Sequence, residues 1–182
     1  MIRRPWPPGM VWRDTRGVAM VEFALLLPVM LVLYLGGVQL QDGIACNRKV
    51  TIAARAAGDL IAQNTTGKIS ASEVDDNLQV ATQVLLPYAA SNATVRVTEV
   101  GTMNNVSTVM WSRGLNTAAN KRGSVVTLPA AMRINGTYFL LAEVTYAYTP
   151  PSAFGAIGPL MLKDSIYMIP RNSDQIDCSD CL

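Results

Sequence analysis

Gly17 and Glu22 are the first residues whose types and spacing invite a chemical reading. Glu22 stands at the edge of a charge-free stretch of nineteen residues, Phe23 to Gln41. A carboxylate beside lipid is held at a cost, of order 2 to 3 kcal/mol at a helix centre and less near an end, so it is either shallow enough to reach water or it has a task. Gly17, a small residue after Arg16, lies just upstream, with Val18, Ala19, Met20 and Val21 between it and the acid. At the other end of the chain, Cys178-Ser179-Asp180-Cys181 is a C-x-x-C, a spacing compatible with redox chemistry, metal ligation or a local disulfide. The chain has no histidine, so the commonest general base and commonest metal ligand are missing. Ser-His-Asp and Cys-His arrangements are thereby ruled out. A zinc site would have to draw on the three cysteines, one of which, Cys46, is far from the others in sequence. There is no phosphate-binding or dinucleotide fingerprint. The reading is of a chain with no catalytic, cofactor or metal residues and no small-molecule substrate.

Nineteen uncharged residues come close to the roughly 20 that a helix needs to cross a bilayer. Arg3, Arg4, Arg13 and Arg16 precede the run against the single acid Asp14. Short basic flanks stay on the cytoplasmic side, so the N-terminus is expected inside and everything beyond Gln41 outside. The run is too long for the apolar part of an ordinary signal peptide, usually 7 to 15 residues. Lipidation at Cys46 after Gly43, Ile44 and Ala45 is disfavoured by the glycine three residues before the cysteine and by the charge of Asp42. The net charge of +2 is concentrated at the start, since the first seventeen residues carry four of the fifteen basic groups and one of the thirteen acids. The remainder is near neutral and lacks the basic stripe that marks nucleic-acid binding.

Arg16-Gly17-Val18-Ala19-Met20-Val21-Glu22-Phe23-Ala24-Leu25-Leu26-Leu27-Pro28 resembles the N-terminal signature of the TadE-like pseudopilins of the tight-adherence (Tad) type IV pilus system. The resemblance is firm over residues 13 to about 63 and loose beyond. It implies that a membrane prepilin peptidase cuts after Gly17, that residues 1–17 are a leader, and that the mature chain begins at Val18. Glu22 would then be the fifth mature residue, pairing with the free amino terminus of a neighbouring subunit, so that two charges costly in lipid are neutralised together. Partners implied are the peptidase, other pilins and minor pilins, and the bacterial inner membrane, with the head periplasmic or carried into the fibre or its tip. In place of the acidic residue that many members have near the end of the apolar run, this chain has Gln39 and Gln41. The alternative is a single-span envelope protein that acts as an assembly factor or binding module without entering a fibre.

The elements that must position these residues follow from periodicity. Val50, Ala53, Ala54, Ala57, Leu60 and Ile61 fall on one helical stripe, with Arg48, Arg55 and Asp59 on another side, Arg55 and Asp59 being spaced as an i,i+4 pair. The spacing predicts one helix over residues 18–63, a transmembrane and stalk helix about 69 Å long. Pro28 removes a backbone donor, and a kink or extended turn is expected near residues 24–28. Residues 64–182 form the head. Asn64-Thr65-Thr66-Gly67 breaks the helix, and Ser70 to Glu73 has capping-box spacing ahead of a second helix that Pro87 ends. Alternation predicts strands around Thr94–Thr98, Val106–Trp111, Thr137–Tyr148 and Leu160–Ile169, with Tyr138, Leu140, Ala142, Val144, Tyr146 and Tyr148 sharing a side. Strands in succession favour an antiparallel sheet with helices on one face, giving an α+β, pilin-like fold. Gly114–Asn120 and the nearby Arg113, Lys121 and Arg122 read as a solvated loop. Outside the cytoplasm the cysteines should be oxidised; a Cys178–Cys181 disulfide is favoured, with Cys46 joined to one of that pair as the alternative.

Overall fold

The computed structural model describes residues 17–150 and 159–181. Its longest element is α1 (Val18–Ala62), a helix of 45 residues with Pro28 inside it. Helical conformation runs through Pro28 unbroken, so the extended turn expected at residues 24–28 does not form. Proline removes one backbone donor, a loss that helices in membranes accommodate. Residues 18–34 are exposed on every side, among them Phe23, Leu26, Leu31 and Leu33. A helix that is apolar all round and has no covering element in its own fold belongs in lipid or in the middle of a bundle. α1 is long and apolar enough to cross a membrane.

The upper part of α1 obeys a different rule. Cys46, Val50, Ala53, Ala54, Ala57 and Ile61 are fully buried, while Leu60 sits at the rim of the same core. The stripe is mostly alanine because the sheet lies close beneath it. A Cβ on Gly58 would approach Met168 Sδ to 3.0 Å and Ala142 Cβ to 3.4 Å, so bulk at this level is paid out in the sheet side chains instead. Arg55 and Asp59 do not form the expected pair. Asp59 instead accepts from Gln63 Nε2 at 2.6 Å and bridges to Arg171, because the chain beyond the sheet returns alongside the helix end.

Helix α2 (Ala71–Gln83) starts at a complete capping box. Glu73 N–H donates to Ser70 Oγ at 3.3 Å and Ser70 N–H donates to Glu73 Oε2 at 2.9 Å. Val74, Leu78 and Ala81 turn inward, and irregular turns carry the chain to Pro87. Strands β1 (Ala93–Met103), β2 (Val106–Leu115), β3 (Tyr138–Tyr148) and β4 (Leu160–Met168) build one sheet in the order β2-β1-β3-β4, antiparallel throughout. Both helices pack on one face, where Val95, Val97, Trp111, Leu140, Ala142, Val144, Tyr146 and Tyr148 complete the main core.

The opposite face is covered too. Val100, Phe139 and Leu141 form a second cluster with Leu128, which arrives from the segment between β2 and β3. Further along, Thr98 and Ser112 hydroxyls meet at 2.8 Å, and Asn120 binds both: its Nδ2 donates to Thr98 Oγ1 at 3.0 Å and its backbone N–H to Ser112 Oγ at 3.0 Å. The segment 114–120 is therefore a tethered cover, not a free loop. Arg113 is likewise not a free loop cation, for it lies on β2 and, though partly exposed, makes two hydrogen bonds of 2.7 Å to the carboxylate of Asp75 on α2. Both corrections have one cause, the partner being remote in sequence.

Candidate functional site: the N-terminal helix, its junction and the tail clasp

Gly17 is the N-cap of α1 and makes no side-chain cap; Val18 is the first helical residue. The helix thus begins at the position where the resemblance places cleavage, while residues 1–16 of the expected leader lie outside the described residues. Glu22 is in the second turn, exposed, with Phe23 beside it. From Val18 to Gln41 it is the only ionisable acid, and among the described residues it has no salt-bridge partner. A carboxylate beside lipid is costly when unpaired and much less so when paired.

A polar junction marks the place where α1 meets the head. Asp42, the residue after Gln41, receives Tyr88 Oη–H at 2.8 Å on one carboxylate oxygen and Tyr148 Oη–H at 2.7 Å on the other. The Tyr88 ring stands edge-on to Tyr146 and Tyr148 with centroids 6.2 and 6.5 Å away, a favoured aromatic geometry. Burial, and then the neighbouring Asp42, push the Tyr88 phenol up to about 12 and Tyr148 upward as well. Both therefore remain donors throughout the physiological pH range. Cys46, one turn above Asp42, is fully buried and unbonded, in no position to carry a lipid.

At the far end of α1 the C-terminal tail is stitched to four elements. Arg171 N–H donates to the Ala62 carbonyl at 3.0 Å, and Ile69 N–H to the Asp177 carbonyl at 2.9 Å. Ile176 is gripped on both sides: its N–H donates to Glu99 Oε1 on β1 at 2.7 Å and its carbonyl accepts Trp111 Nε1–H from β2 at 2.6 Å. Glu99 is only 2% exposed, and burial pushes its carboxyl up to about 7, against the opposing pull of the Ile176 and Trp111 donors. Cys178 and Cys181 are joined by a disulfide with Cα atoms 5.4 Å apart. The bridge holds Asp180 over the start of α2, where both carboxylate oxygens accept Ala71 N–H at 3.0 and 3.1 Å. Cys178, Asp180 and Cys181 are close enough to suggest a metal site, but the two sulfurs are bonded to each other and the carboxylate is committed to an amide, so the donor set does not fit an ion.

Sequence reasoning singled out Gly17, Val18, Glu22, Phe23, Pro28, Cys178 and Cys181. The fold places the first five on the exposed half of α1 and the last two at the opposite end of the molecule. It brings out Asp42, Tyr88, Tyr148, Glu99 and Ile176, which were not singled out. A signal existed for Glu99, which stands in step with Val95 and Val97 and so on the buried side of an alternating strand. Asp42 was legible as the first acid beyond the apolar run, at the level where Gln39 and Gln41 replace an acidic residue.

Residues 17–59 match the family model described as TadE-like protein, which associates the chain with Tad pilus systems. The matched segment starts at the N-cap of α1 and ends one turn before the helix does. No curated protein and no solved structure matches the chain.

Proposed function

From a stalk that is TadE-like over residues 17–59, we propose that this chain is a minor pilin or pseudopilin needed for assembly of a Tad-type pilus. A prepilin peptidase removes the leader after Gly17, the mature chain is held once through the inner membrane with its head periplasmic, and the N-terminal helix later carries it into the fibre or its tip. Its partners are the peptidase and sibling pilins. Its work is assembly and not catalysis: the apolar half of α1 enters a helical bundle, and Glu22 sets the register by pairing with the amino terminus of a neighbour.

One observation carries this reading. An uncovered apolar helix starts directly after Gly17 and holds a single carboxylate in its lower half, four residues from its first residue. A helix buried in its own fold would have no use for that arrangement. The test is the intact mass of the membrane-extracted protein from cells with and without an active prepilin peptidase, together with the pilus yield of Glu22→Gln. A mature mass starting at Val18 and loss of sheared fibres in the variant are expected. A retained leader in peptidase-positive cells, or unchanged fibres with Glu22→Gln, overturns the proposal, and a head that stays with the membrane on shearing assigns the chain to the non-fibre alternative.

A further inference from the structure

The helix face turned away from the head carries basic residues at two levels, Arg48 with Lys49 and, higher up, Arg55. Leu40, Ile44, Ala45 and Ile52 line a shallow groove there together with Arg48 and Lys49. Ile44 and Arg48 lie roughly opposite the buried Cys46 and Val50 on a helix turning 100° per residue, and Leu40 and Ile44 are about half exposed. We propose that this groove binds an anionic phospholipid of the outer leaflet, its acyl chain along Leu40 and Ile44 and its phosphate between Arg48 and Lys49. The inference rests on the membrane-spanning reading of α1 given above.

Height along the helix selects these two residues. The uncharged run ends at Gln41, and Arg48 is seven residues higher, a rise of about 10 Å. The headgroup layer adds about 5 to 7 Å beyond the hydrocarbon edge on each side. Helical side chains lean toward the N-terminus, here toward the membrane, and long cationic ones reach along apolar surface to do so. Arg48 and Lys49 are thus brought down to the phosphates, whereas Arg55, about 21 Å above Gln41 by the same rise, is out of range. Asp42, one residue beyond Gln41, lies about 200° round the helix from Ile44, and its carboxylate is held by the Tyr88 and Tyr148 hydroxyls. Basic residues just outside a span are disfavoured on the non-cytoplasmic side, so a pair retained there needs a counter-charge.

The test uses the mature full-length chain in nanodiscs of equimolar phosphatidylcholine and phosphatidylglycerol, followed by native mass spectrometry of the lipids that remain bound. One basic group near a charged surface gives about a fivefold preference. The wild type should therefore retain phosphatidylglycerol over phosphatidylcholine by on the order of tenfold, and Arg48→Gln with Lys49→Gln should bring the two lipids near parity. Both side chains are outside the core, so the thermal melt of the double variant should match the wild type. Equal retention of the two lipids by the inserted wild type, or a preference that survives the double substitution, overturns the inference alone. A bound second copy of the chain, lost in the double variant, reassigns the face to subunit docking and also overturns it. A chain that stays out of the nanodisc overturns the spanning reading and this inference with it.

Discussion

Replacing Glu99 by glutamine should abolish a pH dependence of stability that the wild-type head is built to have. Glu99 lies in the core between β1 and the tail, accepting Ile176 N–H at 2.7 Å, with Asp177 adding a like charge nearby. Its carboxyl titrates at about 7 in the fold, against 4.5 for a free side chain. Between those two values the folded chain binds more protons than the unfolded one, so stability falls as pH rises through the window and levels off above it. At 1.36 kcal/mol for each unit of pKa difference, the loss from below pH 4.5 to above pH 7 is about 3 kcal/mol at most. For a head of this size that is a drop of roughly 10 °C in Tm.

The window is unusually clean. With no histidine in the chain, no imidazole titrates there. Glu73 and Asp75 are held below the ordinary carboxylate range by Ser70 and Arg113. The assay is equally specific, because Trp6 and Trp12 precede Gly17 and leave Trp111 as the sole tryptophan of a chain starting at Val18. Its indole donates to the Ile176 carbonyl, so fluorescence melts report on the clasp itself. The mature wild type in detergent should lose Tm steadily from pH 5 to 8. Glu99→Gln keeps an acceptor for Ile176 N–H without a charge to desolvate, and should be flat over the range and more stable than wild type at pH 8. A flat wild-type profile, or a variant less stable at pH 8, would refute the reasoning.

Asp42→Ala removes the carboxylate that accepts both phenols but leaves Tyr88 the backbone carbonyl of residue 42, 3.1 Å from its hydroxyl, and should destabilise the mature chain by about 1.5 to 3 kcal/mol, the scale of one hydrogen bond to a charged group; urea titration followed by circular dichroism measures it. Double substitution of Cys178 and Cys181 by serine opens a four-residue loop and should lower stability by about 2 kcal/mol by chain entropy alone, with faster amide exchange at Ala71 as the Asp180 cap loosens. Gly58→Val drives a side chain into Met168 and Ala142 and should lower stability by about 1 to 3 kcal/mol, visible as a reduced denaturant midpoint.

What the sequence made legible was periodic or local. The limits of α1 followed from a charge-free run that passes into an alanine stripe of helical period, and Ser70 with Glu73 announced α2 because a capping box needs only a four-residue window. Alternation located the strands. It failed at Phe139 and Leu141, since β3 is covered on both faces and a strand buried twice loses its period. The remaining partners are beyond the reach of any local signal: Asp42 meets Tyr148 across 106 positions, Glu99 meets Ile176 across 77 and Arg113 meets Asp75 across 38. An i,i+4 rule proposed Arg55 for Asp59, and a residue 112 positions away took its place.

The two halves of α1 also explain how one helix could serve two surroundings under the proposed function. The alanine stripe, the Asp42 junction and the Arg171 return, which fix the head, all lie above Gln41, and burial against the head reaches down to Gln39. Below that level, residues 18–34 make no core of their own. Moving residues 18–34 from lipid into a bundle of apolar helices therefore breaks no core contact of the head and exchanges one apolar environment for another. What changes is Glu22, whose charge lipid penalises and a neighbouring amino terminus would neutralise. The free-energy difference that drives transfer would then reside in that one pair, and Glu22→Gln should impair assembly while leaving the melt of the isolated subunit where it was.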